Sequence, residues 1–105
     1  MANYLLAYHG GGIPETEAEQ ARVLAAWGVW YQKLGDAVVD GGNPIGRSST
    51  LDSAGGVTEG GGANPVSGYT VIRAENLDEA VGLARGCPVL LGGGSVEVGE
   101  TFDVM

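Results

Sequence analysis

One histidine and one aspartate, each followed by glycines, are the groups in this sequence best suited to acid/base chemistry. His9 is the only histidine and stands directly before Gly10-Gly11-Gly12. Histidine is the side chain that titrates near neutral pH, and beside a carboxylate it can act as a general acid or base. Asp40, followed by Gly41-Gly42, is the carboxylate that we expect to orient it. A plainer interpretation also exists for each, as a hydrogen-bonded loop residue for His9 and as a turn former for Asp40.

Four further residues are candidate contacts for a bound small molecule. Asn43 and Ser67 lie at the ends of predicted strands. Arg47, at the root of a predicted hairpin, could bind an anion through its guanidinium group. Trp30 lies beside the main apolar stripe of a predicted helix, where it could pack in the core or line the wall of a pocket.

Several other chemistries lack the residues that they require. The run Gly60-Gly61-Gly62 is not followed by Gly-Lys-Ser/Thr, and no Gly-x-Gly-x-x-Gly motif opens a helix after a strand. A triad of Ser67, His9 and Asp40 is formally possible, but no nucleophile elbow surrounds any serine. Cys87 is the only cysteine, so it cannot form an internal disulfide or a cysteine-rich zinc site. We therefore expect neither a metal nor a cofactor.

The acidic balance of the chain argues against nucleic acid as a partner. Thirteen acidic residues against five basic ones give a formal net charge of −8 at pH 7, which would repel nucleic acid and anionic membranes. The 105 residues are long enough for one hydrophobic core and too short for two, so residues 1–105 are expected to form a single domain. No segment approaches the roughly 20 apolar residues of a membrane span, and no signal-peptide pattern begins the chain. We expect a cytoplasmic protein without a membrane partner.

The first half of the chain predicts a strand, a long helix and a second strand. Residues 3–8 form a short apolar run, typical of a strand that is buried on both faces. A helix over residues 16–34 begins with a capping box at Thr16 and Glu19. Residues 36–40 then predict the second strand, so that His9 and Asp40 each stand at the end of a strand.

The predicted helix carries two apolar stripes, whereas a helix packed on a sheet needs only one. We expect the first stripe to cover the sheet, and it consists of Ala21, Leu24, Trp27, Gly28, Tyr31 and Leu34. Val23, Ala26 and Trp30 form the second stripe. That stripe needs cover from a subunit partner or from the wall of a ligand pocket.

An insert and a second strand, helix and strand make up the rest of the chain. The insert, at about residues 45–66, predicts a small hairpin followed by a Gly-rich loop. Residues 69–74 are β-branched and aromatic, which predicts a strand. Asn76 caps a helix that Gly86 ends, and residues 95–98 alternate in polarity as a half-buried strand does. The order of elements is that of an α+β ferredoxin-like βαββαβ fold with an inserted hairpin.

This topology brings the candidate site residues to one edge of the sheet. In a βαββαβ path the first two strands run in the same direction, and the strand after the insert returns between them. The ends of the first two strands therefore meet the start of the returning strand. The residues expected at this edge are His9, Asp40, Asn43, Arg47 and Ser67.

Four motifs of the second half are Gly68-Tyr69-Thr70-Val71-Ile72, Leu77-Asp78-Glu79-Ala80, Gly86-Cys87-Pro88 and Gly94-Ser95-Val96-Glu97-Val98. Together they resemble the second half of the YCII-related family, and the resemblance extends over nearly the whole chain. One branch of that family is named for an Asp-Gly-Pro-Phe loop motif, of which this chain retains only the glycine, Gly60. The chain therefore resembles a branch neighbouring the DGPF branch.

The resemblance implies the fold of the dimeric α+β barrels, in which two sheets pack face to face, and hence a homodimer. A histidine on the first helix and an aspartate have been proposed as catalytic in the family. This chain has no histidine between residues 16 and 34. Asp40 lies beside Gly41-Gly42-Asn43-Pro44, which resembles the family's Gly-Pro-type segment after the second strand. We expect His9 to replace the missing histidine from another direction.

Two functions remain open from the sequence. The first is a small-molecule site at the sheet edge that performs cofactor-independent proton transfer, with His9 as acid/base and Asp40 as its carboxylate. The second is a non-catalytic ligand-binding or regulatory homodimer, which the absence of the helix histidine favours. Some members of the family are linked with sigma-factor-type regulators, so the resemblance also implies a possible regulatory protein partner.

Overall fold

The predicted order of elements is confirmed by the structure, a computed structural model that describes residues 1–12 and 14–104. The first half holds strand β1 (Ala2–His9), helix α1 (Glu17–Leu34) and strand β2 (Val38–Asp40), and the insert holds strands β3 (Ser49–Leu51) and β4 (Val57–Glu59). The second half holds strand β5 (Val66–Ala74), helix α2 (Leu77–Ala84) and strand β6 (Ser95–Glu100). Short 3-10 turns at Gly35–Ala37 and Pro88–Gly92 follow the two helices.

The main sheet has the strand order β2-β5-β1-β6, and each neighbouring pair is antiparallel. Strands β1 and β2 therefore run in the same direction on either side of β5, as the βαββαβ order predicts. Strands β3 and β4 form a separate two-stranded sheet outside this one. The fold is α+β and ferredoxin-like, with the inserted hairpin as an appendage.

Side-chain caps set the beginnings of both helices. The Thr16 hydroxyl accepts a hydrogen bond from the Glu19 amide at 3.1 Å, and the Asn76 carboxamide oxygen accepts one from the Glu79 amide at 2.8 Å. The Glu79 carboxylate accepts a hydrogen bond from the Glu75 amide at 3.2 Å. In a standard capping box it would accept from the amide of Asn76, one residue later. Both helices thus begin where the sequence predicts.

Both helices cover the same face of the sheet, and the core lies between them and that face. Alternate strand residues point into it, and they are Tyr4, Leu6, Tyr8, Thr70, Ile72 and Ala74. The helices and the turn at Pro88–Gly92 contribute Trp30, Leu34, Ala80, Ala84, Cys87 and Val89. Among the described residues, neither helix combines the length and the apolar character needed to cross a membrane.

The stripe of α1 that covers the sheet differs from the prediction. Trp30, placed on the side stripe, is the most deeply buried residue of the helix, whereas Leu24 of the predicted main stripe is 72% exposed. Only the last turns of α1 pack into the core, and the first half of the helix is exposed. The predicted main stripe is confirmed at its C-terminal end, where Trp27, Tyr31 and Leu34 pack on the core. Its N-terminal end was predicted wrongly, because the helix does not lie on the sheet along its whole length.

The opposite face of the sheet carries no helix. By alternation along β1 and β5, Leu5, Ala7, Tyr69 and Val71 point to this open face, and they are exposed or half-buried. The molecule measures 44 × 43 × 18 Å, and its radius of gyration is 15.0 Å, against about 13 Å for a compact domain of this length. The chain is therefore flat and open.

Candidate functional site

His9 is the last residue of β1 and stands where the strand pairing becomes irregular. The register between β1 and β5 shifts between Tyr8 and His9, so that His9 lies opposite Val66. On its other side it lies opposite Ser95 of β6. This irregularity turns the ring of a largely buried histidine toward the loop that precedes β5.

Both ring nitrogens of His9 face hydrogen-bond acceptors. Nδ1 lies 3.0 Å from the carbonyl oxygen of Asn64 and 3.2 Å from that of Pro65. Nε2 lies 3.2 Å from Oε1 of Glu97. A backbone carbonyl accepts but cannot donate, so Nδ1 carries a proton and donates it to the loop.

This arrangement leaves Nε2 as the nitrogen that exchanges a proton. When the ring is neutral, the proton on Nδ1 leaves a lone pair on Nε2, which can act as a base. When the ring is protonated, Nε2 donates to the Glu97 carboxylate in a charge-assisted hydrogen bond. The Asn64 and Pro65 carbonyls therefore select the tautomer, and Glu97 stabilises the cation.

Glu97, which sequence reasoning missed, is the carboxylate of this site. It lies on β6 opposite Ala7, and its side chain is 76% exposed. Glu97 could have been predicted from the order of the strands. The last strand of a βαββαβ sheet pairs with β1 and begins beside the end of β1, so its first residues lie near His9. The prediction considered only the returning strand β5 as a neighbour of His9.

Two glycine runs bring the end of β1 against the start of β6. A methyl group at Gly94 would lie 2.7 Å from the carbonyl oxygen of His9 and 2.8 Å from the amide nitrogen of Gly11. A side chain at Gly92 would collide with the backbone of Gly11. Glycine is therefore required for these two loops to pack backbone against backbone, which sets the distance between His9 and Glu97.

The expected pairing of His9 with Asp40 is corrected by the structure. Asp40 lies opposite Val71 and His9 opposite Val66, which separates them by about 16 Å along β5. The Asp40 carboxylate instead accepts a hydrogen bond from the Gly42 amide at 2.8 Å. Asp40 is the turn former of the plainer interpretation, because β2 ends several residues before it reaches the level of His9.

Asn43, Arg47 and Ser67 lie toward the His9 end of the sheet, where the main-chain carbonyls of Asn43 and Ser67 accept hydrogen bonds. The Asn43 carbonyl accepts from the Tyr69 amide at 3.3 Å, and the Ser67 carbonyl accepts from the Ile45 amide at 2.9 Å. Residues 43–45 thereby continue the edge of the sheet beyond β2. Arg47 follows them and is exposed. A role for these three side chains in ligand binding stays a prediction.

Trp30 lies in the core, among aromatic rings that fill the space beneath α1. Its indole nitrogen donates to the Leu83 carbonyl at 3.0 Å, and its ring lies 5.6 Å from Trp27 and 5.4 Å from Tyr31. Edge-to-face and tilted contacts at these distances stabilise an aromatic cluster. Trp30 also lines an apolar recess of about 240 Å³ on the helix side. Its contact with a ligand stays a prediction.

A hydrogen-bonded chain of hydroxyl groups lies beside this cluster. The Tyr8 hydroxyl donates to Oγ1 of Thr70 at 2.6 Å, and the Thr70 hydroxyl donates to the Gly41 carbonyl at 3.1 Å. Tyr31 donates to the same carbonyl at 2.9 Å. Burial raises the pKa of Tyr8 far above its usual range, so this phenol stays protonated. Burial also raises the pKa of the Cys87 thiol, which is therefore a poor nucleophile.

A second recess, of about 440 Å³, opens at the edge of this network and is lined by Tyr31, Gly35, Val38, Gly41 and Gly42. It is shallow and lies on the helix side of the sheet, away from His9. Within residues 1–12 and 14–104, no group of three histidine, cysteine or acidic side chains is close enough to hold a metal ion. The contact between His9 and Glu97 thus lies outside both recesses.

Comparison with solved structures agrees with the α+β ferredoxin-like fold. The chain is similar to 5-chloro-2-hydroxyhydroquinone dehydrochlorinase (TftG) from Burkholderia phenoliruptrix AC1100, solved in complex with 2,5-dihydroxybenzoquinone. The two share 16% sequence identity with a TM-score of 0.58, over 96% of this chain and 93% of that one. No family model matches the sequence, and no curated protein matches it.

Proposed function

We propose that the His9 edge of the sheet is a small-molecule site that performs cofactor-independent proton transfer. His9 is the acid/base, and Glu97 is the carboxylate that stabilises its protonated form. The observation that carries the proposal is the set of three acceptors around one imidazole, two backbone carbonyls at Nδ1 and a carboxylate at Nε2. A positioned general base contributes about 10²–10⁴-fold to a rate.

Glu97 also gives the site a way to admit a substrate. Its side chain is mostly exposed, so it can leave Nε2 without breaking a packed contact. A substrate with an acidic C–H or O–H group would then take its place, and the carbonyls of Asn64 and Pro65 would keep the ring oriented. After proton abstraction, Nε2–H would be the acid that returns the proton.

A homodimer is part of the proposal, because one wall of the site is open. The open face carries Leu5, Ala7, Tyr69 and Val71, which a second sheet would cover. The accessible surface of 7297 Å² exceeds the roughly 5,500 Å² of a typical folded monomer of 10.6 kDa. We also propose that the chain is a YCII-related protein of the cytoplasm, on the motifs described above.

Ligand binding at His9 is tested with 2,5-dihydroxybenzoquinone, the ligand in the TftG complex. At ten times its dissociation constant a ligand stabilises the native state by about 1.4 kcal/mol, which raises the Tm of a domain of this size by several degrees. We expect this increase in the native protein and its loss in His9→Ala. Asp40→Ala is the matched control, because it removes a carboxylate that lies away from the ring, and it should retain the increase.

Proton transfer is tested separately from binding. The rate at which the ring protons of the same quinone exchange in D₂O is followed by NMR with catalytic amounts of protein. We expect the native protein to accelerate the exchange and His9→Ala to lose about 10²-fold or more of that acceleration. Equal acceleration by the two proteins would remove His9 from the mechanism.

The second candidate is a non-catalytic ligand-binding or regulatory homodimer. It is favoured by the burial of His9 and by the acceptors that already occupy both ring nitrogens. In that case His9 ties the loop before β5 to the sheet, and a regulatory protein is the partner that the resemblance implies. Stabilisation by the quinone without any acceleration of exchange would select this candidate.

A further inference from the structure

The hairpin of β3 and β4 carries an apolar pair that is left in solvent. Each strand has three residues, and all six are exposed. Leu51 and Val57 lie directly opposite each other, and they are 71% and 68% exposed. A cross-strand pair of this kind stabilises a sheet mainly when other groups cover it.

Polar contacts at both ends nevertheless hold the hairpin in one conformation. At the turn, Oδ1 of Asp52 accepts hydrogen bonds from the amides of Ala54 and Gly56 at 2.9 and 2.8 Å. At the root, the Thr50 hydroxyl donates to the Gly60 carbonyl at 2.7 Å. An isolated two-stranded hairpin is at best marginally stable in water, so an ordered one with an apolar pair is expected to pack on something.

The hairpin leaves the sheet at the His9 end. The backbone bond from the Ile45 amide to the Ser67 carbonyl is the last tie of the chain to β5 before the hairpin. On its return the chain passes His9, whose Nδ1 contacts the carbonyls of Asn64 and Pro65. The hairpin and the proposed site therefore share one root.

We propose that residues 47–60 form a dimerisation arm, whose Leu51–Val57 pair packs on the second copy of this chain and closes the His9 site of the dimer. The inference rests on the homodimer proposed above. The excess accessible surface is about 1,800 Å² per chain, whereas each partner in a standard interface buries about 800 Å². The open face accounts for one part of this excess and the arm for another.

A second copy is the occupant that these features favour, because a two-fold interface uses each surface twice. In an isologous dimer, the arm of each chain packs on the other chain, so that both exposed Leu51–Val57 pairs become buried. The open face and the Leu51–Val57 pair of the arm both expose apolar side chains. A dimer that contacts through both also gives each His9 a wall that its own chain lacks.

Dissociation constants measured by sedimentation at several concentrations test the arm. We expect Leu51→Ser with Val57→Ser to raise the dimer dissociation constant at least tenfold. The matched control is Leu24→Ser with Leu91→Ser, since Leu24 of α1 is as exposed as Leu51, and Leu91 is also highly exposed on the helix side. The control pair should leave the dissociation constant unchanged, and circular dichroism should show native helix content in both variants.

The outcomes separate the arm from the dimer itself. If Leu5→Asp on the open face produces monomers while the arm variant dimerises as tightly as the native protein, the arm inference fails and the homodimer stands. A native protein that stays monomeric at 50–100 µM, roughly the upper range of such experiments, overturns both, because a standard interface binds far more tightly.

A fluorescent label gives a readout that does not depend on assembly strength. Cys87 is buried, so Leu51→Cys introduces an accessible thiol for a polarity-sensitive dye. We expect its emission to shift to the blue as the concentration rises through the dimer dissociation constant, whereas the same dye at Leu24→Cys should not shift. Identical responses at the two positions would contradict a packed arm.

Discussion

The two faces of the sheet differ in how completely a single chain buries their apolar side chains and pairs their polar groups. On the helix side, Leu6 and Ile72 are fully buried, and the Tyr8 and Thr70 hydroxyls are hydrogen-bonded. On the open side, Leu5 is exposed next to Leu6, and a buried histidine faces an exposed carboxylate. Successive residues of β1 point to opposite faces, so its apolar residues alternate between the buried core and the open face.

This difference separates folding from assembly in a chain of 105 residues. The helix side supplies the free energy of folding, because its apolar groups leave water when the single chain folds. The open side contributes little until a second molecule covers it. Substitutions on the two faces should therefore affect different measurements.

The largest effect is expected from the two neighbouring leucines of β1. Leu6→Ala should lower the free energy of unfolding by about 2–5 kcal/mol, because it opens a cavity in the core. Leu5→Ala should cost less than about 1 kcal/mol in dilute solution, since its side chain remains partly in water. Urea unfolding at low and high protein concentration measures both quantities.

Concentration dependence is the control in this experiment. The deficit of Leu5→Ala should grow at concentrations where the proposed homodimer forms, whereas the deficit of Leu6→Ala should persist at every concentration. Equal and concentration-independent losses in the two variants would contradict the division into a folding face and an assembly face.

An intermediate effect is expected from Tyr8→Phe at alkaline pH. Near neutrality the variant should lose about 1 kcal/mol, because the hydrogen bond to Thr70 disappears. Burial raises the pKa of Tyr8 in the native state, so above about pH 10 the unfolded chain releases this proton while the folded chain retains it. The stability that Tyr8 contributes is therefore complete below pH 10 and falls by about 1.4 kcal/mol per pH unit above it.

Comparison of the variant with the native protein isolates this contribution. Burial also raises the pKa values of Tyr4 and Cys87. Their ionisation in the unfolded chain lowers stability as the pH rises, and it does so equally in the native protein and in the variant. The stability of Tyr8→Phe should fall less steeply with pH, by about half a proton at pH 10 and by nearly one proton above about pH 11. Parallel pH profiles for the two proteins would mean that Tyr8 ionises as easily in the folded chain as in the unfolded one.

The smallest effect on stability is expected from two carboxylates, Asp40, which the sequence predicted beside His9, and Glu97, which contacts it in the structure. Asp40→Ala should cost about 0.5–1.5 kcal/mol, because the Gly42 amide loses its acceptor. Glu97→Ala should cost less, since its pair with His9 is exposed on the carboxylate side. Urea unfolding of the two variants measures both costs. A larger loss in Glu97→Ala than in Asp40→Ala would contradict this order.

The sequence predicts the fold well because its signals are local. The capping residues Thr16 and Asn76 begin their helices as expected, and the hairpin forms around the turn at Asp52. The packing of α1 was not predictable in the same way. A helical stripe shows which residues can face a sheet, but not how far the helix extends beyond that sheet. Leu24 was therefore predicted to be buried and is exposed, whereas Trp30 was placed beside the stripe and is buried.

The candidate site was predicted in part. His9 could be found because it is a unique residue type, and its edge followed from the order of the strands. Its partner could not be found from β1, β2 and β5 alone, because a register of several residues separates Asp40 from His9. The contacts of His9 with the carbonyls of Asn64 and Pro65 could not be predicted from residue types, since every residue has a main-chain carbonyl.

The contact between the glycine runs at Gly11 and Gly92–Gly94 has a practical consequence for redesign. Main-chain atoms set the spacing of positions 9 and 97 there, and those atoms are the same whatever residues occupy the two positions. We therefore expect that residues 9 and 97 can be substituted without a change in this backbone contact, for instance by two metal-binding histidines or by a lysine nucleophile beside an acid. The glycines themselves are the residues that such a library must leave untouched.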